Sequence, residues 1–119
     1  MAKSELLGPF PLTQESITQN VIEADQQWSA GAFALGRLDQ GRFFVRRTGR
    51  SDTDMAALLK DFIGRYDAFK FRTYASTRRA YEKECRLFHD FKPRDNDSHP
   101  EKPRGKHITC PVASCPEAD

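Results

Sequence analysis

Gly31-Ala-Phe-Ala-Leu-Gly-Arg-Leu-Asp-Gln-Gly-Arg-Phe-Phe-Val-Arg-Arg-Thr48 is the stretch that decides the fold. Two strand-like runs, Gly31 to Leu38 and Arg42 to Thr48, flank Asp39-Gln40-Gly41. A short loop ending in Gly predicts a hairpin that closes with a left-handed residue. In the second run, alternation assigns Phe43, Val45 and Arg47 to one face and Arg42, Phe44 and Arg46 to the other.

On the C-terminal side, Ser51 is a suitable cap for a helix over 52–65. Met55, Leu59, Phe62, Ile63 and Tyr66 form its apolar stripe. A third strand, Phe69 to Tyr74, alternates, with Phe69 and Phe71 inward and Lys70 and Arg72 outward. Ser76 or Thr77 then caps a helix over 76–91. On the N-terminal side, Thr13 caps a helix over 13–27, with Ile17, Val21, Ala24 and Trp28 on one stripe. Residues 1–12 read as an extended lead, because Pro9 and Pro11 argue against a regular element. Residues 92–119 hold five of the seven prolines and no apolar period, so they read as an irregular tail unless something pins them. The expectation is one α/β domain over 13–91, in which helices flank a three-stranded mixed sheet.

The chain has 119 residues, 38% hydrophobic and 30% charged, which suits one compact domain. No apolar run approaches the ~20 residues of a membrane span. The N-terminal residues lack the apolar segment of a signal peptide, and an odd count of three cysteines is a poor disulfide framework. A reducing, cytoplasmic location without a membrane partner is expected. Net charge is only +2, but Arg37 to Arg50 carries five arginines against one acid, Asp39. Arg42, Arg46, Arg47 and Arg50, with Lys70 and Arg72, are therefore candidates for binding nucleic acid or an acidic protein partner. An ordinary solvated sheet face is the plainer alternative.

Glu84 is the most informative single residue. On a helical wheel with Ala80 at zero, Leu87, Phe91, Phe88 and Tyr81 span about −20° to 100°, and Glu84 falls near 40°. A carboxylate on a core-facing stripe must be paired, hydrogen-bonded or set in a cleft. Two readings stand: a metal ligand facing a groove, or a structural ion pair with a strand arginine such as Arg47.

Gly31-Ala32-Phe33, Arg47-Thr48-Gly49, a capped helix, a strand and a helix with an inward Glu84 together resemble the GIY-YIG endonuclease module, from about Gly31 to Asn96. Thr48-Gly-Arg-Ser-Asp and Lys83-Glu-Cys-Arg-Leu-Phe-His89 are similar to small bacterial GIY-YIG-like proteins. The resemblance implies a hairpin carrying two tyrosines, a helix arginine and a glutamate holding Mg or Mn. Carried over, the tyrosine positions are Phe33 and Arg47, the arginine position is Leu58, and the basic or aromatic position one turn on is Phe62. Glu84 matches the glutamate, and Asn96 matches an asparagine that often follows. Phe33 has no hydroxyl and Leu58 no charge. Arg47 does not deprotonate and is a poor general base. Arg50 or Arg65 could stand in for the lost arginine.

Cys85 and His89 are neighbours on one helix face. In the tail, which also holds His99, His107-Ile-Thr-Cys110 and Cys110-Pro-Val-Ala-Ser-Cys115 have spacings that zinc could use, which makes Cys85, His89, Cys110 and Cys115 candidate ligands. The spacing favours the plainer reading: a half-buried Cys85, an exposed His89 and a disordered tail. A Cys110–Cys115 disulfide is a third possibility.

Three functions follow in order of preference. The first is a degenerate GIY-YIG-like binding protein, for nucleic acid above all. The second is an active metal-dependent nuclease with a rearranged site, using Glu84 and Asn96. The third is a protein-interaction or inhibitory module of a mobile element. Fold-level likeness alone does not license activity.

Overall fold

A computed structural model describes residues 4–103, 108–112 and 115. It is an α+β fold with strands β1 (Leu7–Pro11), β2 (Gly31–Asp39), β3 (Arg42–Ser51) and β4 (Ala68–Thr73), and helices α1 (Gln14–Ile17), α2 (Met55–Lys60) and α3 (Thr77–Phe91). The strands form one sheet in the order β1-β4-β2-β3.

The hairpin stands where the sequence places it. Asp39 pairs with Arg42, and the two residues between them, Gln40 and Gly41, have φ of 51° and 79°. A two-residue turn with both φ positive matches the right-handed twist of its strands. The sheet itself differs from the expected three-stranded mixed one. Every pairing is antiparallel. The chain leaves β3, crosses through α2 and returns as β4 on the far side of β2, so the two strands running the same way are never neighbours.

The fourth strand is β1, in the segment expected to be an irregular lead. Proline is tolerated on an edge strand, where one side of the backbone needs no ladder bonds. The register slips between Leu7 and Phe10, around Gly8 and Pro9.

The first helix is shorter than expected. Thr13 caps it, accepting a hydrogen bond from Ser16 N. After Ile17 the backbone widens to a π-helical turn over Thr18–Ile22, with Glu23 N donating to Thr18 O. Ile17 and Val21 are buried, but Trp28 lies beyond the helix and is 70% exposed, so it is no part of the stripe. Asp54, rather than Ser51, caps α2 by accepting from Ala57 N, and Ser51 stays in β3 opposite Gly31. For α3 the expected cap is correct: Ser76 accepts from Arg79 N.

Both faces of the sheet are covered, which is why Gly31 to Gly36 is buried throughout. Phe33, Leu35, Phe69 and Phe71 pack with Ile17, Val21, Met55 and Leu59 on the α1/α2 side. Ala32 and Ala34 meet Leu87 of α3, with Phe43, Val45 and Phe91 around them. A third cluster joins α3 to the tail: Tyr81, Cys85, Ile108, Cys110 and Cys115. The described part of the tail is thus packed, contrary to the disorder expected.

Candidate metal centre and basic cleft

Two imidazoles and two thiols converge where α3 meets the tail. His89 projects from the last turn of α3, and His99, Cys110 and Cys115 come from the tail. Their ligand atoms all lie within 4.8 Å of one another. Cys110 Sγ is 3.6 Å from His89 Nε2, and Cys115 Sγ is 3.3 Å from His99 Nε2. In a tetrahedron with Zn–N of about 2.1 Å and Zn–S of about 2.3 Å, an N–S edge is about 3.6 Å. The two cross-pairs therefore already stand at coordination spacing, and the widest separation needs to close by about 1 Å.

The surroundings favour the neutral form of the imidazoles. Nδ1–H of His99 donates to the carbonyl of Pro100 at 3.0 Å. A carbonyl can only accept, so Nδ1 carries the proton and Nε2 offers its lone pair inward. Phe88 packs edge-on against both imidazoles, whose own centroids are 5.3 Å apart. Burial first, and then the neighbouring His99, hold His89 below the usual imidazole range, which favours the neutral, ligating form. The group could hold a metal ion.

This set differs by one residue from the expected one. His99 takes the place given to Cys85, which is fully buried among Tyr81, Ile108 and Cys110. No disulfide joins Cys110 to Cys115. His107 lies outside the described residues.

Glu84 is buried, as its place on the wheel requires. Its partner is Arg50, with Nη1 donating to Oε1 at 2.7 Å, and not Arg47. The reason is a bulge. Leu35 pairs with Arg47 but Gly36 with Val45, which leaves Arg46 as an extra residue and reverses the alternation beyond it. Val45 faces α3, whereas Arg47 faces α2: its guanidinium lies 5.3 Å from the Phe62 centroid and Nε donates to Tyr66 Oη. Arg50 faces α3 and also holds Asp52, the Glu101 carbonyl and the Tyr81 ring. Burial raises the Glu84 carboxyl to about 7, against the pull of Arg50.

The positions carried over from the resemblance are split by the sheet. Phe33, Leu58 and Phe62 belong to the α2-side cluster, and Arg47 lies over Phe62. Glu84 is on the other face, where a guanidinium occupies the place expected for Mg or Mn. Asn96 is used on the backbone: Thr48 N donates to its Oδ1 at 3.0 Å and its Nδ2 donates to Thr48 O at 2.9 Å. With Asp95 N donating to Arg46 O, this ties the start of the tail to the open edge of β3.

The six expected basic contacts do not form one surface. Arg50 is taken by acids, Arg72 Nε donates to Glu5 O, and Lys70 lies 5.3 Å from the Phe43 centroid, all on the α3 side. Arg42 is exposed beside the hairpin turn. Arg46 instead joins Arg37 and Arg65 around a cleft of about 230 Å³, with Tyr66, Asp67 and Asp95. Both acids there are engaged: Leu38 N donates to Asp67 and Tyr66 Oη to Asp95. Among the described residues none of these three arginines is in an ion pair. Arg65, outside the basic run, has no sequence signal that links it to Arg37.

Compared with protein-family models, with curated proteins and with solved structures, the chain matches none.

Proposed function

We propose that this chain is a non-catalytic binding domain on a degenerate GIY-YIG-like scaffold, that its ligand is the phosphate backbone of nucleic acid, and that zinc at His89, His99, Cys110 and Cys115 holds its C-terminal segment. The observation that carries the binding reading is the cleft in which Arg37, Arg46 and Arg65 meet without carboxylate partners among the described residues. Guanidinium groups bind phosphate oxygens in a forked geometry, and the two aspartates nearby already have donors. The zinc reading rests on a closed set of two nitrogens and two sulfurs with no carboxylate, the donor set of a structural site. The scaffold reading is supported by the order hairpin, helix, strand, helix and by Phe33 pairing directly with Gly49. Against the nuclease reading, Phe33 and Leu58 cannot move a proton or hold an anion, and Glu84 is paired with Arg50 across the sheet from them.

The test is a mobility-shift titration of the zinc-loaded protein over a salt series. Affinity that falls steeply with salt is expected, because each neutralised phosphate releases counterions. An absence of binding at low salt, or binding indifferent to salt, would sink the reading.

A further inference from the structure

We infer that the outer half of the β2–β3 hairpin is a platform for single-stranded nucleic acid, with Phe44 stacking on a base and the Arg37/Arg46/Arg65 cleft taking the adjoining phosphates. This inference rests on the binding reading above and narrows its ligand.

The hairpin is longer than the sheet beside it. β4 pairs with β2 only from Gly31 to Gly36, so Arg37 to Arg42 and the facing residues of β3 project beyond it. On this projection Phe43 turns toward the α3 side, where it joins Ala32, Ala34 and Leu87. Alternation then puts Phe44 and Arg42 on the opposite face, and Arg37, the direct partner of Phe44, with them. Phe44 is 45% exposed, an aromatic ring with no core to fill. Leu38 at the same end is 41% exposed. Directly opposed residues on adjacent strands have Cβ atoms about 5 Å apart, so the side chains of Phe44 and Arg37 leave the same face of the hairpin as neighbours. Arg37 in turn lines the cleft with Arg46, the bulged residue, and Arg65.

An exposed aromatic ring beside a short row of arginines with no ion pair among the described residues is the arrangement by which sequence-tolerant single-strand binders work: the ring stacks on a base face and the cations follow the backbone. A duplex hides its base faces in the stack, so it can use the arginines but not Phe44. An acidic protein surface could likewise use the arginines alone. The ring therefore separates these ligands, and the charge pattern does not.

The experiment is fluorescence anisotropy with the full zinc-loaded chain, using labelled oligothymidylate and oligouridylate of roughly 20 nucleotides. A duplex of the same length and polyglutamate serve as competitors. Both single strands are expected to bind more tightly than the duplex, with log K falling against log salt at a slope of about −2 for three phosphates. Phe44→Ala should weaken single-strand binding by about fivefold to a hundredfold and leave the slope unchanged. Arg37→Ala should reduce the slope by about 0.7. Both side chains are exposed, and zinc content with circular dichroism checks that the variants are folded. If the duplex binds as well as single strands and Phe44→Ala is neutral, the platform is overturned while the phosphate cleft stands. If polyglutamate competes as well as the oligonucleotides, the occupant is an acidic protein face and both readings fall. Binding to none of these probes also overturns both.

Discussion

Glu84 and Arg50 form a 2.7 Å ion pair on the α3 side of the sheet, with both side chains 11% exposed. A buried pair of this kind is asymmetric in what its removal costs. Losing one partner strands a desolvated charge, whereas neutralising the other often costs little. Arg50→Met should therefore destabilise the fold by about 3 kcal/mol at pH ~9, where Glu84 has no cation and can avoid a bare buried charge only by taking up a proton. Glu84→Gln should stay within about 1 kcal/mol of the parent or exceed it, since Arg50 retains Asp52 and the Glu101 carbonyl. Urea titrations of the two variants check the order. Equal losses would mean that the pair is not desolvated as described.

The same pair sets a pH dependence. Glu84 is raised from 4.5 to about 7 in the folded chain, chiefly by burial. An acid that holds its proton better when folded favours the fold below its unfolded pKa. That contribution fades as pH rises through the folded value. Stability should thus fall by about 3 kcal/mol between pH ~4.5 and pH ~7 relative to Glu84→Gln, in which the slope is absent. Taking the difference between the two proteins removes the pH dependence of the metal ligands. Parallel stability curves would show that Glu84 does not titrate in this window.

Metal removal should loosen the C-terminal segment before the sheet. The protein as purified from zinc-containing medium should carry about one zinc per chain by elemental analysis. A strong chelator should lower Tm and open the region around Ile108 to protease, while the β2–β3 pairing stays protected from hydrogen exchange. His99→Ala and Cys110→Ser should lose the metal, and Cys85→Ser should keep it even though a buried thiol is disturbed. Retention of zinc by His99→Ala with loss from Cys85→Ser would mean that the ligand set is drawn wrongly.

The sequence revealed features that are local and concealed those that depend on a distant partner. Gly41 marks the hairpin because glycine accepts the left-handed φ that closes a short loop, whereas the positive φ of Gln40 has no such mark, and Ser76 marks α3 through its side-chain oxygen. The inward face of Glu84 follows from helical period alone. Its partner does not, because one bulged residue, Arg46, reverses the face of all that follows in β3 and leaves no mark in composition. Pro9 and Pro11 concealed β1, since proline argues against a strand except at an edge, and edges exist only once the sheet is assembled. His99 escaped the metal set for the same reason: its approach to His89 is made by the tail folding back on α3, and no fixed spacing announces it.

Gly49 gives a purely steric test of the hairpin register. A Cβ at this position would lie 2.5 Å from Phe33 Cζ and 2.9 Å from Cε2, so the ring would have to leave its place in the core. Gly49→Ala should cost about 1–3 kcal/mol, as overpacking does. Phe33→Leu should relieve part of that cost in the double variant, measured as a coupling energy between the two sites. A neutral Gly49→Ala would mean that Phe33 does not cross β3 at this position.

With magnesium or manganese, the purified protein should not cleave single- or double-stranded DNA above background. Phosphodiester hydrolysis requires an oriented water, a cation at the scissile phosphate and donors aimed at the developing charge. Phe33 brings an apolar ring where the resemblance implies a hydroxyl, and that ring is stacked toward Phe62 at 6.3 Å. Leu58 packs against the core where a guanidinium would be needed. Arg47 is held over Phe62 and by the Tyr66 hydroxyl, and Glu84 sits across the sheet against Arg50. Losing one transition-state donor costs about a hundredfold to a thousandfold, and here several are missing from one face. These losses do not add simply, but the positions carried over from the resemblance share no common point, because Glu84 lies across the sheet from Phe33, Arg47 and Leu58. Nucleic-acid binding without turnover, measured on the same preparation, is the expected result. Metal-dependent cleavage that survives purification to homogeneity and disappears in Glu84→Gln would overturn it, and would require Glu84 to exchange Arg50 for a divalent ion.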